Sequence, residues 1–309
     1  MKKSTTFVFL LLVILALTAC TSIPGNKTPQ PSESFRTGSL GLQLKFAPNI
    51  PPPKLYDTEE FNAVIEIANL GAFPVGGPGD RLYFSGFDPD IVLGIPFNGV
   101  PIRAEGKDEF NNRGGFDSAS VKGGIRRLTG DKYPFTLVAT ACYGYQTLAS
   151  GAVCIDPDPY SKTTKTKACV PQSVSFGSQA APVAVGSVGV EARPGRTVFR
   201  IGISNVGGGE VYLPGLSYLQ KCSPYDPRGI AFDEIDHVEV IDVVVSGVSI
   251  KHSCKPLDQN TLRLSSGKAT LVCEFNNIRT NAAYTTPLTL VLRYGYRNQI
   301  HQKVEIVRT

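Results

Sequence analysis

Apolar and polar residues alternate with a period of two along much of this chain. In Phe61–Ala68 the side chains of Ala63, Ile65 and Ile67 share one face, and in Thr197–Ser204 those of Phe199, Ile201 and Ile203 do the same. Similar stretches predict strands over Leu40–Phe46, Arg81–Ser85, Phe135–Tyr145, Ala152–Ile155, Val185–Glu191, Val238–Val245, Val248–Lys251, Thr270–Phe275 and Leu288–Tyr296. No segment carries the helical period. The 31 glycines and 23 prolines are scattered and punctuate the strands with turns, which argues against a helical bundle or a doubly wound α/β enzyme. Short strands and frequent turns predict an all-β chain of the β-sandwich kind.

The first twenty residues break the pattern. Met1-Lys2-Lys3 is basic, Phe7–Leu17 is an unbroken apolar run, and Leu17-Thr18-Ala19-Cys20 follows. The run has the length of a signal-peptide core and falls short of the roughly 20 residues that span a bilayer. Small residues directly before a cysteine resemble the lipobox of prokaryotic lipoprotein signals. That resemblance implies a signal peptide over residues 1–19, lipidation of Cys20, and membrane attachment through the lipid. An uncleaved signal anchor is the other reading, and both place the rest of the chain outside the cytoplasm. Residues 20–38 are rich in Ser, Thr, Pro, Asn and Gly and read as a flexible tether with an r.m.s. reach of roughly 20–25 Å. The tether carries one glycosylation sequon, at Asn26. The net charge of +5 falls to +3 once Lys2 and Lys3 leave with the signal, and there is no Lys/Arg run, so nucleic acid is not an expected partner.

The chain repeats itself. Ile65-Glu66-Ile67-Ala68-Asn69-Leu70-Gly71 matches Ile201-Gly202-Ile203-Ser204-Asn205-Val206-Gly207 as I-x-I-x-N-x-G, and Tyr143-Gly144-Tyr145 matches Tyr294-Gly295-Tyr296. Val153-x-Ile155 and Val304-x-Ile306 then follow at equal distance. The Asn-x-Gly supplies side-chain hydrogen bonds and an easy left-handed backbone for a turn. Repetition of the tyrosine pairs in both halves favours core packing over a sugar-binding stripe.

A strand-and-turn of this form near the start of an all-β unit, on an exported chain, resembles the CARDB-type immunoglobulin-like modules of prokaryotic surface proteins. The resemblance covers the cores of both halves and departs at two long insertions, Gly94–Asp131 and Leu213–Glu234. It implies two tandem immunoglobulin-like β-sandwich domains, at residues 39–159 and 180–309, joined by a linker at 160–179. It also implies adhesion, envelope organisation or partner binding, with a protein or glycan of the cell envelope as partner. The alternative is a solute- or glycan-binding subunit that delivers its ligand to a membrane transport or secretion machine. Such a subunit needs a concave pocket of several hundred Å³.

Catalytic and metal chemistry find little material. His237, His252 and His301 sit at no metal-ligand spacing, so no metal or cofactor is expected. Asp88-Pro89-Asp90 and Asp156-Pro157-Asp158-Pro159 gather carboxylates, but neither continues into a calcium loop, and both read as turns. No nucleophile motif is present, and a non-catalytic role is expected. The most unusual loop is Gly106–Ser120, with Asp108, Phe110, Asn112, Arg113 and Phe116. It reads either as an excursion whose aromatics pin it to the sandwich or as a recognition loop on a rigid scaffold.

Besides Cys20 there are six cysteines, an even number that suggests three disulfides in an exported chain. Aligning the Tyr-Gly-Tyr motifs places Cys142 over Arg293 and Cys154 over Glu305. If each motif enters a closing hairpin, with Tyr143 facing Val153, then Cys142 and Cys154 pair across it. Cys254–Cys273 and Cys169–Cys222 follow by proximity and parity. The competing local choice is Cys154–Cys169, a loop of about 15 residues worth roughly 3 kcal/mol through the unfolded state.

Overall fold

The computed structural model describes residues 35–161, 167–276 and 282–309. The expected signal peptide at residues 1–19, Cys20 and Asn26 lie outside the described residues. The chain is all-β, as the alternation predicts, and the strands among the described residues form three sheets.

Two strands dominate. β8 (Lys132–Ile155) and β17 (Tyr284–Val307) pair antiparallel over their whole length, from Lys132 opposite Val307 to Ile155 opposite Tyr284. At the middle Gly144 faces Gly295, with Tyr143 opposite Tyr296 and Tyr145 opposite Tyr294. The repeated motif therefore pairs with its own copy, and a local two-fold axis passes between the two glycines. The strands expected over Phe135–Tyr145 and Ala152–Ile155 are parts of one continuous strand.

The long pair lies at the centre of a sheet ordered β14 (Val248–Ser249), β13 (His237–Val245), β17, β8, β4 (Arg81–Ser85), β6 (Val100–Pro101). β12 (Glu210–Tyr212) and β2 (Lys54–Tyr56) also pair with β17, and β15 (Thr261–Arg263) pairs with β13. One smaller sheet is β1 (Leu42–Phe46), β3 (Glu60–Asn69), β7 (Phe116–Ile125), β5 (Val92–Leu93). The other is β16 (Lys268–Asn276), β11 (Arg196–Asn205), β10 (Val183–Arg193), β9 (Val174–Ser175). Residues of one parity on β8, from Phe135 through Leu137, Tyr143, Tyr145 and Thr147 to Val153 and Ile155, are buried beneath the smaller sheets. One continuous apolar core draws on both halves, and Ser34–Thr309 is one compact unit. The two repeats thus share one core within that unit. A strand of 24 residues is about four times the usual length, so each long strand extends past its own half and lies along the other.

The conserved geometry of the repeat explains its residues. Asn69 Nδ2 donates to the carbonyls of Phe73 (2.8 Å) and Ala104 (3.1 Å), while its Oδ1 accepts from Gly71 N (3.1 Å) and the Tyr145 hydroxyl (3.3 Å). Asn205 does the same in the other half: Nδ2 donates to Gly209 O (2.8 Å), and Oδ1 accepts from Gly207 N (3.3 Å) and the Tyr296 hydroxyl (3.1 Å). The inner tyrosines hold the first residues of matching strands. Leu42 N donates to the Tyr143 hydroxyl (3.2 Å) and Val183 N to that of Tyr294 (3.3 Å). The four rings sit edge-to-face or tilted with centroids 5.8–6.2 Å apart along the square they form. Each is nearly or fully buried, so each hydroxyl needs a partner, and each has one.

Burial pushes all four phenols up, Tyr296 to about 12, although hydrogen bonds from Leu42, Phe73, Val183 and Gly209 pull the other way. The native state therefore holds them neutral. Their contribution is full below the unfolded-state value near 10 and is lost as pH rises through the folded values. In an alkaline spectrophotometric titration these phenols ionise only together with loss of the near-ultraviolet circular dichroism of the native state. Reversible ionisation of all the tyrosines with that signal intact would contradict the buried quartet.

Candidate functional site

The disulfides correct two expected pairings. Cys142 is bonded to Cys222 and Cys154 to Cys169, while Cys254 and Cys273 are joined as expected. Cys142–Cys154 and Cys169–Cys222 are therefore not formed. The hairpin that would have brought Tyr143 to Val153 does not exist. Cys142 and Cys154 lie on one extended strand, twelve residues and about 40 Å apart.

Cys142 projects from the outer face of the long sheet, opposite to the tyrosines. Its bond to Cys222 clips down the insertion that begins after Tyr212. There the helix α1 (Leu216–Lys221) lies over the sheet. Tyr83, Cys142, Tyr212, Leu219 and Cys222 form a second, smaller core on this face. Lys221 at the end of α1 pairs with Glu234, and Leu213 N donates to Glu234 O (3.0 Å), which holds the two ends of the insertion together.

Beside α1 lies a groove of about 840 Å³. Gly144 forms its floor, the loop from Phe73 to Asp80 one wall, and Pro214, Gly215, Leu216 and Leu219 the other. The loop is fixed by Asp80, a buried carboxylate that accepts from Gly76 N (2.8 Å), Gly77 N (2.7 Å) and Gly144 N (2.9 Å). At the rim Arg103 meets Glu105 at 3.6 Å, and Arg293 donates to Glu239 from Nη2 (2.7 Å) and Nε (2.9 Å). The ionic groups of the groove are thus already engaged, and its apolar surface is available.

The groove lies where the two halves of the repeat differ. The two halves align without a gap past the Asn-x-Gly turn, so that Val75, Pro78 and Gly79 match Val211, Pro214 and Gly215. Within this stretch Gly76 stands where the second half has Tyr212. The Tyr212 ring lies flat on Gly295, so close that a Cβ added there would sit 2.1 Å from Cε2. Over Gly144, the mate of Gly295, the nearest atoms to such a Cβ are Asp80 Oδ1 and Leu219 Cδ1 at 4.0 Å. One slot is filled by a ring, and its counterpart is open.

The residues singled out from the sequence lie elsewhere. Asp108, Phe110, Asn112, Arg113 and Phe116 are all exposed, and none lines the groove. Phe110 and Phe116 are 91% and 72% exposed, so the aromatics do not pin the loop to the sandwich. Polar turns hold it instead. Asp108 Oδ1 accepts from Phe110 N (2.8 Å) and Asn111 N (2.6 Å), and Asn111 Nδ2 donates to Gly114 O (3.0 Å). Gly114, at φ 77°, passes so close to Asn69 O that a Cβ would meet it at 1.9 Å. Asp88 and Asp156 form turns, accepting from Asp90 N and Asp158 N, and Lys167 Nζ occupies the other Asp156 oxygen at 2.6 Å. His237 Nδ1 lies 2.7 Å from Ile235 O.

Sequence reading missed the groove because glycine and proline carry no chemistry of their own. The matching Val-x-x-Pro-Gly segments were the available signal, since they show where Tyr212 lacks a mate. No family model matches the chain, and no curated protein matches it.

The two glycines make opposite demands. Gly295→Ala forces the Tyr212 ring off the sheet and costs about 2–4 kcal/mol, whereas Gly144→Ala enters open space and costs less than about 1 kcal/mol. Urea unfolding of the two variants measures this. Equal costs would show that the two slots are not differently filled.

Proposed function

We propose that this chain is a non-catalytic, extracytoplasmic binding protein, tethered to the membrane through a lipid on Cys20, that seats an envelope partner in the groove over Gly144. Three disulfides fit an oxidising compartment outside the cytoplasm. The signal-like first segment and the tether after it support the membrane attachment, and the resemblance to CARDB-type surface modules supports a binding role.

The observation that carries the proposal is the open slot. A largely apolar groove with paired charges at its rim is stabilised by contact with an apolar group and asks for no proton transfer. Asp80, the carboxylate nearest its floor, is held by three backbone N–H donors, which suits a structural role better than that of a general base. The groove's volume also suits a small solute or glycan fragment, the second reading.

Proximity labelling from the full chain on intact cells tests both. An envelope protein enriched by the wild type and reduced at least about fivefold by Gly144→Leu supports a protein partner. Undiminished labelling by the variant would remove the groove from the proposal. A shift in melting temperature with envelope glycans or small solutes, abolished by Gly144→Leu, would favour the second reading.

A further inference from the structure

The two long strands use their matching edges differently. On its side away from β8, β17 carries β13 along Leu288–Arg293, β12 along Gly295–Arg297 and β2 along Glu305–Val307. On its side away from β17, β8 carries β4 along Val138–Cys142. Among the described residues no strand pairs with that edge from Gly144 to Ile155. The Gly144 N–H that points outward there is met by the Asp80 carboxylate. The outward backbone groups of Gln146 and Leu148, which share its parity, have no ladder partner on that side.

β12 is an internal example of what covers such an edge. It runs antiparallel to β17 with Glu210 opposite Arg297, Val211 opposite Tyr296 and Tyr212 opposite Gly295. Glu210 forms an ion pair with Arg297, and the Tyr212 ring covers Gly295. A half-turn about the local axis carries Arg297, Tyr296 and Gly295 onto Gln146, Tyr145 and Gly144. The open edge therefore offers the same glycine floor and a free edge at Gln146, while its Gly144 N–H, the mate of the one that faces β12 on Gly295, is held by Asp80. It has an uncharged amide where β17 has a guanidinium, so it places no demand for an acidic residue on its partner.

We infer that this edge and the groove receive an extended peptide strand of a partner protein, antiparallel to β8, with one aromatic side chain laid on Gly144 as Tyr212 is laid on Gly295. Main-chain hydrogen bonds to Gln146 and Leu148 supply affinity that tolerates many sequences, and the ring in its slot supplies selectivity. The inference rests on the groove being the partner site and names the class of partner it takes.

The chain contains no tryptophan, so indole fluorescence reports a ligand alone. The probe is the peptide Gly-Gly-Gln-Val-Trp-Leu-Pro, blocked at both ends, titrated with the full-length protein in detergent micelles. The expected result is a saturable emission change with Kd below about 1 mM. The peptide with alanine for tryptophan should compete at least about tenfold more weakly, and Gly144→Leu should bind at least about tenfold more weakly while melting no lower than the wild type. No saturable binding up to about 1 mM, equal binding by Gly144→Leu, or equal competition by the alanine peptide would overturn the inference. If the peptide fails but cell-surface labelling still depends on Gly144, the groove remains the site and the aromatic-strand partner is wrong. If neither depends on Gly144, both readings fall.

Discussion

Gly144 faces Gly295 across an unbroken antiparallel ladder, and the rest of the molecule is arranged around that pairing. The register sets Tyr143 and Tyr145 beside Tyr296 and Tyr294 on one face. Their hydroxyls then fix the first residues of β1 and β10 and, through Asn69 and Asn205, the turns that lead out of β3 and β11. A slip of one residue would set each glycine against a tyrosine and turn one strand's rings away from the smaller sheets. The outer face is fixed by the same register, since the small residues between the tyrosines leave room there for a ring or a ligand.

Two matching halves give a symmetric frame, and the differences between them create the site. In the second half Tyr212 fills the outer slot, and the insertion after it folds back as α1, held by Cys142–Cys222. In the first half Gly76 replaces the ring, and Asp80 braces the loop. The disulfide closes a loop of 80 residues, for which chain entropy gives about 4.5 kcal/mol of stabilisation. It therefore keeps the wall formed by Leu216 and Leu219 in place beside the empty floor.

Much of the fold was legible where side chains alternate, strictly in β3 and from Phe199 onward in β11, because one buried face imposes period two on the sequence. β7 was not legible. Its Asp117-Ser118-Ala119-Ser120-Val121-Lys122-Gly123-Gly124 offers only Ala119 and Val121 to the core. α1, at six residues, is too short for a helical period to show. The closing hairpin was inferred from the repeat, although Gln146 to Ser150 contains no turn residue of the Asn-Gly or Pro type. That local signal, weighed above the alignment, would have kept β8 whole and separated Cys142 from Cys154. Of the site, the motif tyrosines were read as core, as found. The groove depends on which residues are missing from a slot, and that shows only when the two halves are superposed in space.

The central claim is that equivalent edges of β8 and β17 are filled in one half and open in the other. Native-state amide hydrogen exchange resolved to single residues tests it most directly. Gln146 and Leu148 should exchange at least about a hundredfold faster than Tyr145 and Thr147, whose amides point into the β8–β17 ladder. Gly295, paired with β12, should be protected with the ladder. Protection of Gln146 and Leu148 equal to that of Tyr145 and Gly295 would contradict it.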